Sequence, residues 1–117
     1  MRLNEIEFSD AQPVEGYGPG FFRVGGEPMQ GPLCLTPQGT MAWGGLADRD
    51  TLIALAGQVD VLFVGTGSEM ALLPQSLQDP LEDAGLGIEV MNSPAACRTY
   101  NVLLSEGRRV ALAALPV

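Results

Sequence analysis

The feature that most constrains the fold is a short apolar run that a glycine turn stops abruptly. Residues 61–64 read Val-Leu-Phe-Val, and Gly65, Thr66 and Gly67 follow directly. An unbroken run of this length is typical of a strand buried on both faces, and the glycines predict a loop at its end. We therefore expect the chain to be organised around this strand and its loop.

A second stretch repeats this pattern about thirty residues later. Residues 88–91 predict a strand, and Ser93 and Pro94 predict a helix start, with Ser93 as the N-cap and Pro94 at the first helical position. If the two strands are parallel neighbours, both loops lie at one carboxyl edge of the sheet. Open α/β folds usually bind ligands at that edge, so a functional site is expected there.

The remaining pattern predicts short strands first and helices later. Residues 4–8 favour a first strand, whereas the glycine-rich residues 14–20 predict a loop. An antiparallel meander is expected over the first third of the chain, with strands at residues 21–24, 33–36 and 41–43.

Three helices and a last strand complete the prediction. The helices are expected over residues 48–58, 72–84 and 94–106, and a final buried strand over residues 110–115. Asp48 or Asp50 would cap the first helix. Pro80 predicts a kink or a restart of the second, with Asp79 as the new cap.

Length and composition bound the class of protein. A chain of 117 residues with 46% apolar content fits a single domain over residues 1–117. Its net charge of −8 disfavours binding to nucleic acid or to an anionic membrane surface. The two cysteines, the acidic amino terminus and the lack of a long apolar run predict a soluble, reduced, cytoplasmic protein.

Two missing residue types exclude several kinds of site. The chain has no histidine and no lysine, since all six basic residues are arginine. Histidine-dependent triads and zinc sites are therefore excluded, as are a Walker phosphate loop and a Schiff base. The carboxylates lack metal-ligand spacing, so we expect no metal and no cofactor.

The residues at the expected edge have two interpretations. The amides of Gly65, Thr66 and Gly67 could bind an anion, but a tight turn that needs small residues is the favoured interpretation. Cys97 stands beside Arg98 in the first turn of a helix, where the helix dipole and the guanidinium favour a thiolate. Packing of Cys97 in the core is the favoured interpretation, since cysteine is among the most commonly buried residues and no histidine can serve as its base.

The polar residues that follow Cys97 are also ambiguous. Arg98, Thr99 and Asn101 could hold a carboxylate or a phosphate. They could instead fix the glycine loop by hydrogen bonds, with Arg98 paired to Glu69. The ligand-binding candidates are thus Gly65, Thr66, Gly67, Arg98, Thr99 and Asn101, with Cys97 as the one catalytic candidate.

Several of these motifs together resemble a known family. They are the GYGPG-like residues 14–22, the turn at Trp43, VLFVGTG at residues 61–67, LPxxL at residues 73–77 and AACRTYNVLLSEGRRVALAAL at residues 95–115. The chain resembles the Mth-type small domains of unknown function, which include an assembly factor of mitochondrial respiratory complex I. The resemblance implies a mixed central sheet covered by helices and extra strands, and it supplies no catalytic residues.

These observations lead to two hypotheses on one predicted fold, a three-layer α/β domain with an N-terminal antiparallel meander. The first is a non-enzymatic protein-interaction domain that assists assembly of a membrane respiratory complex, in the cytoplasm or peripheral at the inner membrane through its partner. The alternative is a small-molecule or anion-binding protein, or a thiol enzyme, using a cleft between residues 65–67 and 97–101. A homodimer through the meander is also open.

Overall fold

The computed structural model describes residues 11–117 of the chain. The predicted strand at residues 4–8 lies outside them. The described part contains the strands β1 (Gly16–Gly18), β2 (Phe21–Val24), β3 (Glu27–Gln30), β4 (Leu33–Thr36), β5 (Gly39–Met41), β6 (Val61–Gly65), β7 (Gly87–Met91) and β8 (Val110–Ala114), and the helices α1 (Arg49–Ile53), α2 (Gln75–Asp83) and α3 (Ser93–Ser105).

A mixed five-stranded sheet in the order β5-β4-β8-β6-β7 forms the centre of the fold. Strand β8 is the middle strand, antiparallel to β4 and parallel to β6. All of its residues are buried, because the run Val-Ala-Leu-Ala-Ala offers apolar side chains to both faces. The predicted mixed sheet with a buried last strand is confirmed.

Two hydrophobic cores cover the two faces of this sheet and make the fold a three-layer α/β structure. Helices α1 and α2 cover one face, where Leu52, Leu77 and Leu81 pack against Leu62 and Val64. On the other face lie α3 and a three-stranded antiparallel sheet, and their core contains Phe22, Tyr100, Phe63 and Leu112. Within residues 11–117, no helix has the length and apolar character needed to cross a bilayer.

The N-terminal strands differ from the prediction in their grouping. Strands β1, β2 and β3 form the separate small sheet, whereas β4 and β5 extend the central sheet. Residues 14–20 are not only a loop, because Tyr17 pairs with Phe22 in a hairpin. Strand β3 was missed because it reads Glu-Pro-Met-Gln, although proline is tolerated in an edge strand. The strand expected at residues 41–43 is Gly39–Met41.

The first two helices also differ from the prediction. Helix α1 has only five residues, followed by turns up to Gly57, whose φ is +82°. Helix α2 continues through Pro80, so the restart capped by Asp79 is wrong. Leu77 and Leu81 are both buried on either side of Pro80, and this packing offsets the hydrogen bond that a proline removes.

Asp48 organises the short helix α1 and the loop before it. Its carboxylate accepts hydrogen bonds from the Gly44 amide at 3.0 Å and from the Thr51 hydroxyl at 2.7 Å. Its backbone oxygen accepts from the indole N–H of Trp43 at 3.1 Å, which keeps that ring in the core. The hydrogen bond from Gly44, followed by that from Thr51, holds the pKa of Asp48 below its usual 3.8.

We predict that Asp48→Asn lowers the stability at neutral pH and that the difference from the parent shrinks in acid. Because the folded pKa is lowered, the carboxylate's contribution is complete above the usual, unfolded pKa of 3.8 and is lost as the pH falls through the folded value. Urea unfolding at about pH 7 and about pH 2.5 measures both differences. Asp50→Asn, at an exposed position in the same helix, is the control. A difference that does not change with pH would contradict the prediction.

Candidate functional site

Strands β6 and β7 are parallel neighbours, as predicted. Their register runs from Val61 opposite Gly87 to Gly65 opposite Met91. The glycine turn after β6 and the start of α3 after β7 therefore lie at the same edge of the sheet. Strand β8 ends there too, with Ala114 opposite Gly65.

Ser93 joins the three chain segments that meet at this edge. Its hydroxyl accepts a hydrogen bond from the Gly67 amide at 2.8 Å and donates to the backbone oxygen of Leu115. Its own amide donates to the Gly67 oxygen at 2.7 Å. Ser93 is fully buried, so these hydrogen bonds replace those that water would make.

The predicted role of Ser93 as the N-cap of α3 is wrong. The cap is Asn92, whose side-chain oxygen accepts from the Ala95 amide at 2.8 Å. Both residue types are good caps, so the sequence could not distinguish them. Ser93 is instead the first residue of the helix, and its hydroxyl is used between segments.

The glycines of the turn are needed for two different reasons. A Cβ on Gly65 would lie 2.7 Å from the hydroxyl oxygen and 2.8 Å from the Cα of Ser93. Gly67 has a φ of +101°, which other residues rarely adopt. Gly65 therefore allows α3 to approach β6, whereas Gly67 turns the chain.

Thr66 fixes the loop that leads away from the turn. Its hydroxyl lies 2.8 Å from the backbone oxygen of Glu69 and 3.2 Å from that of Met91, and it accepts from the Ala71 amide at 3.0 Å. Its amide donates to the Met91 oxygen at 3.0 Å. The amides of Thr66 and Gly67 are thus both engaged within the protein, which favours the tight-turn interpretation over an anion site.

The helical half of the predicted cleft lines a different space. A groove of about 290 Å³ lies between the β1 segment and α3. It is lined by Val14, Glu15, Gly16, Tyr17, Pro94, Cys97, Arg98, Asn101 and Val102. Residues 65–67 are not among these lining residues, so the structure does not bring the two predicted halves into one cavity. We call this space the β1–α3 groove.

Cys97 lies in the wall of the β1–α3 groove but is only 4% exposed. Burial raises its pKa from the ordinary value of 9.0 to about 11. The helix start and Arg98 would each lower the pKa of this thiol, but the loss of hydration outweighs both at this position. Cys34 is also a buried free thiol, and burial raises its pKa to about 12.

The polar residues after Cys97 make structural contacts. Asn101 accepts from the Val14 amide at 2.9 Å and donates to the Val14 oxygen at 2.8 Å, as a paired strand would. The Thr99 hydroxyl faces the sulfur of Met91 at 3.6 Å. Arg98 is exposed, and the salt bridge found within residues 11–117 joins Arg109 to Asp60 rather than Arg98 to Glu69.

Tyr100 is a structural residue whose hydrogen bond the sequence did not reveal. Its hydroxyl donates to the Gln12 oxygen at 2.8 Å, and burial raises its pKa. Together with Asn101, it fastens the segment before β1 onto α3. Its place on the apolar face of the helix was predictable, but a partner 88 positions away along the chain carries no local signal.

In the described part of the chain, no group of metal-ligand side chains is assembled.

The fold and the arrangement of the sheet edge together define a class of small α/β domain. In this class a mixed sheet lies between a layer of helices and a layer made of one helix and a small sheet. The chain belongs to the family described as "Protein of unknown function (DUF498/DUF598)", whose model matches residues 14–115. The resemblance predicted from the motifs is therefore confirmed.

Relatives of this chain include both uncharacterised and named proteins. An uncharacterised protein of Rhodobacter capsulatus is 49% identical over all of this chain and 94% of its own length. NADH dehydrogenase [ubiquinone] 1 alpha subcomplex assembly factor 3 is 30% identical in Danio rerio and 26% in Homo sapiens. Each alignment covers 99% of this chain, with 71% of the fish protein and 67% of the human one.

Solved structures share the fold over nearly the whole chain. A Bartonella henselae structure described as an outer membrane protein has a TM-score of 0.84 at 32% identity, covering 95% of this chain and 99% of that one. A Bordetella pertussis protein described as a Mth938-like domain has a TM-score of 0.75 at 30% identity, with coverages of 99% and 92%.

We predict that Ser93→Ala destabilises the protein by about 1–3 kcal/mol, because it leaves the buried Gly67 amide and Leu115 oxygen without a partner. Ser105→Ala, which removes an exposed hydroxyl bonded to Val102, is the matched control and should change stability by less than about 0.5 kcal/mol. Urea unfolding measures both. Equal effects of the two substitutions would show that Ser93 does not join the segments.

We also predict that Cys97 is a slow nucleophile in the folded protein. Its alkylation by iodoacetamide should stay slow at neutral pH and rise only towards its raised pKa of about 11. In urea the same thiol should react with a midpoint near the ordinary value of 9.0. Mass spectrometry of the peptide that contains Cys97 separates it from Cys34. Rapid modification of the folded protein at neutral pH would contradict this prediction.

Proposed function

We propose that the protein is a non-enzymatic interaction domain that assists the assembly of a membrane respiratory complex. The observation that carries this proposal is the extent of the match to proteins named as complex I assembly factors. The Danio rerio and human alignments both cover 99% of this chain, so the whole fold is the shared unit. We therefore carry over from these relatives to this chain a role that depends on the surface of the shared fold.

The polar residues at the sheet edge and in the β1–α3 groove favour protein contacts over catalysis. Ser93, Thr66 and Asn101 use their polar groups in hydrogen bonds within the protein. Large apolar side chains are exposed elsewhere: Tyr17, Met41, Met70, Leu72 and Val102. Exposed apolar and aromatic side chains are typical of surfaces that bind another protein.

The alternative is a small-molecule site or a thiol enzyme in the β1–α3 groove. The presence of Cys97 and Arg98 in its lining favours this alternative. Its volume of about 290 Å³ is just below the range of about 300–1,000 Å³ in which ligand pockets usually fall. The raised pKa of Cys97 counts against a thiol mechanism, so we rank this function second.

The proposal puts the protein on the cytoplasmic side of the membrane, held at the complex by a protein partner. The net charge of −8 favours attachment through a protein partner, because anionic lipid would repel a chain of this charge. Its partner is expected to be a subunit of the complex or another factor that acts on the same intermediate.

We predict that deleting the gene lowers the amount of assembled complex without lowering the synthesis of its subunits. Native gels and pulse labelling measure the two quantities. A tagged copy at near-native abundance should restore assembly and recover subunits of that complex. A Cys97→Ser copy should restore assembly equally well, since no thiol chemistry is required.

Two outcomes would contradict this function. Unchanged levels of assembled complex, together with no reproducible protein partner, would remove the assembly role. A Cys97→Ser protein that folds normally but does not restore assembly would favour the thiol enzyme instead.

A further inference from the structure

Residues 68–85, the loop after the glycine turn together with α2, carry acidic but no basic side chains. These residues include Glu69, Asp79, Glu82 and Asp83 and no basic residue, so they carry half of the net charge of −8. All four carboxylates are exposed. Among residues 11–117, none of the four takes part in a salt bridge, since the one found joins Arg109 to Asp60. We call this region the acidic α2 surface.

Two large apolar side chains are exposed in the same stretch of the chain. Leu72 is 86% exposed and Met70 is 53% exposed, whereas the next residue, Leu73, is only 6% exposed. Leu73 already fills the core position that this loop offers. Met70 and Leu72 are therefore left in water, at a cost in free energy that burial against a partner would remove.

The loop that presents these side chains is held in place before any partner binds. The Thr66 hydroxyl contacts the Glu69 oxygen and the Ala71 amide, on either side of Met70. The Leu77 and Gln78 amides both donate to the Pro74 oxygen at 3.0 Å, which ties the end of the loop to the start of α2. Because the loop is ordered in advance, binding would cost little conformational entropy.

We propose that the acidic α2 surface docks a basic amphipathic segment of a partner protein. The apolar side chains of that segment pack on Met70 and Leu72, and its lysine or arginine side chains face the carboxylates of α2. This inference rests on the proposed function and names the surface and the kind of partner that it uses.

The charge of the surface selects this occupant over others. A second copy of the chain would bring like charges together if it used the same surface, and such contacts are unfavourable. Nucleic acid and anionic lipid are repelled for the same reason. A purely apolar partner would bury carboxylates without pairing them, which is costly. A segment with both apolar and basic side chains satisfies both features.

The β1–α3 groove provides an internal comparison. Val102 is 50% exposed, nearly as much as Met70, but the groove is lined by one acidic and one basic residue, Glu15 and Arg98. It therefore has apolar character without the charge excess. A substitution there tests exposure of apolar surface alone.

The first test uses a labelled synthetic helix of 18 residues built from leucine and lysine, with leucine at helical spacing, and its leucine–glutamate counterpart. The leucine–lysine peptide should bind, and the double substitution Met70→Ser with Leu72→Ser should weaken its binding at least ten-fold without changing the charge. Val102→Ser should leave the affinity within two-fold. Fluorescence anisotropy measures the affinities, and a urea midpoint confirms that each variant is folded.

Three results of the peptide test would overturn the inference. Equal affinity for the parent and the double variant would show that charge alone attracts the peptide. Equal binding of the leucine–glutamate peptide would show that the carboxylates do not select. A stronger effect of Val102→Ser would assign binding to the β1–α3 groove.

The second test separates this inference from the proposed function. A photoreactive p-benzoylphenylalanine in place of Leu72 should cross-link in the cell to a segment that is rich in apolar and basic residues, and one in place of Val102 should not. Cross-links from position 102 alone, or to an acidic segment, would overturn the docking surface while the assembly role stands. No cross-link from either position, together with normal assembly in the deletion strain, would remove both.

Discussion

The hydroxyl of Ser93 is the contact on which the geometry at the carboxyl end of β6 depends. It binds the Gly67 amide and the Leu115 oxygen at once, so it joins the turn after β6, the start of α3 and the end of β8. The contact requires a close approach that only glycine allows at position 65. The direction of α3, and with it one wall of the β1–α3 groove, follows from this arrangement.

The same arrangement explains why the polar residues of the edge offer little to a ligand. Amides at a strand end can bind anions, but those of Thr66 and Gly67 donate to Met91 and Ser93. Asn101 and Tyr100 hold the segment before β1. The exposed surface instead offers apolar side chains and an excess of negative charge. Apolar contact and charge complementarity are properties on which protein recognition depends.

The sequence predicted the features that depend on local pattern. Periodicity and turn residues predicted the buried strands β6 and β8 and the helix α3. They also predicted the parallel pairing of β6 with β7. It did not reveal that β4 and β5 join the central sheet, because β4 pairs with β8 across more than seventy residues. For Cys97, the position within a helix indicates the effect of the helix dipole but says nothing of how deeply the side chain is buried, and burial raises its pKa.

The position of β8 has a consequence for how the chain folds as it is synthesised. Leu33–Thr36 and Val61–Gly65 do not pair with each other, since β8 lies between them. The central sheet therefore stays in two halves until residues 110–114 have left the ribosome, and each half exposes an unpaired edge until then. Such edges favour aggregation, and late long-range pairing slows folding. A nascent chain of this topology gains from a chaperone that covers those edges during translation.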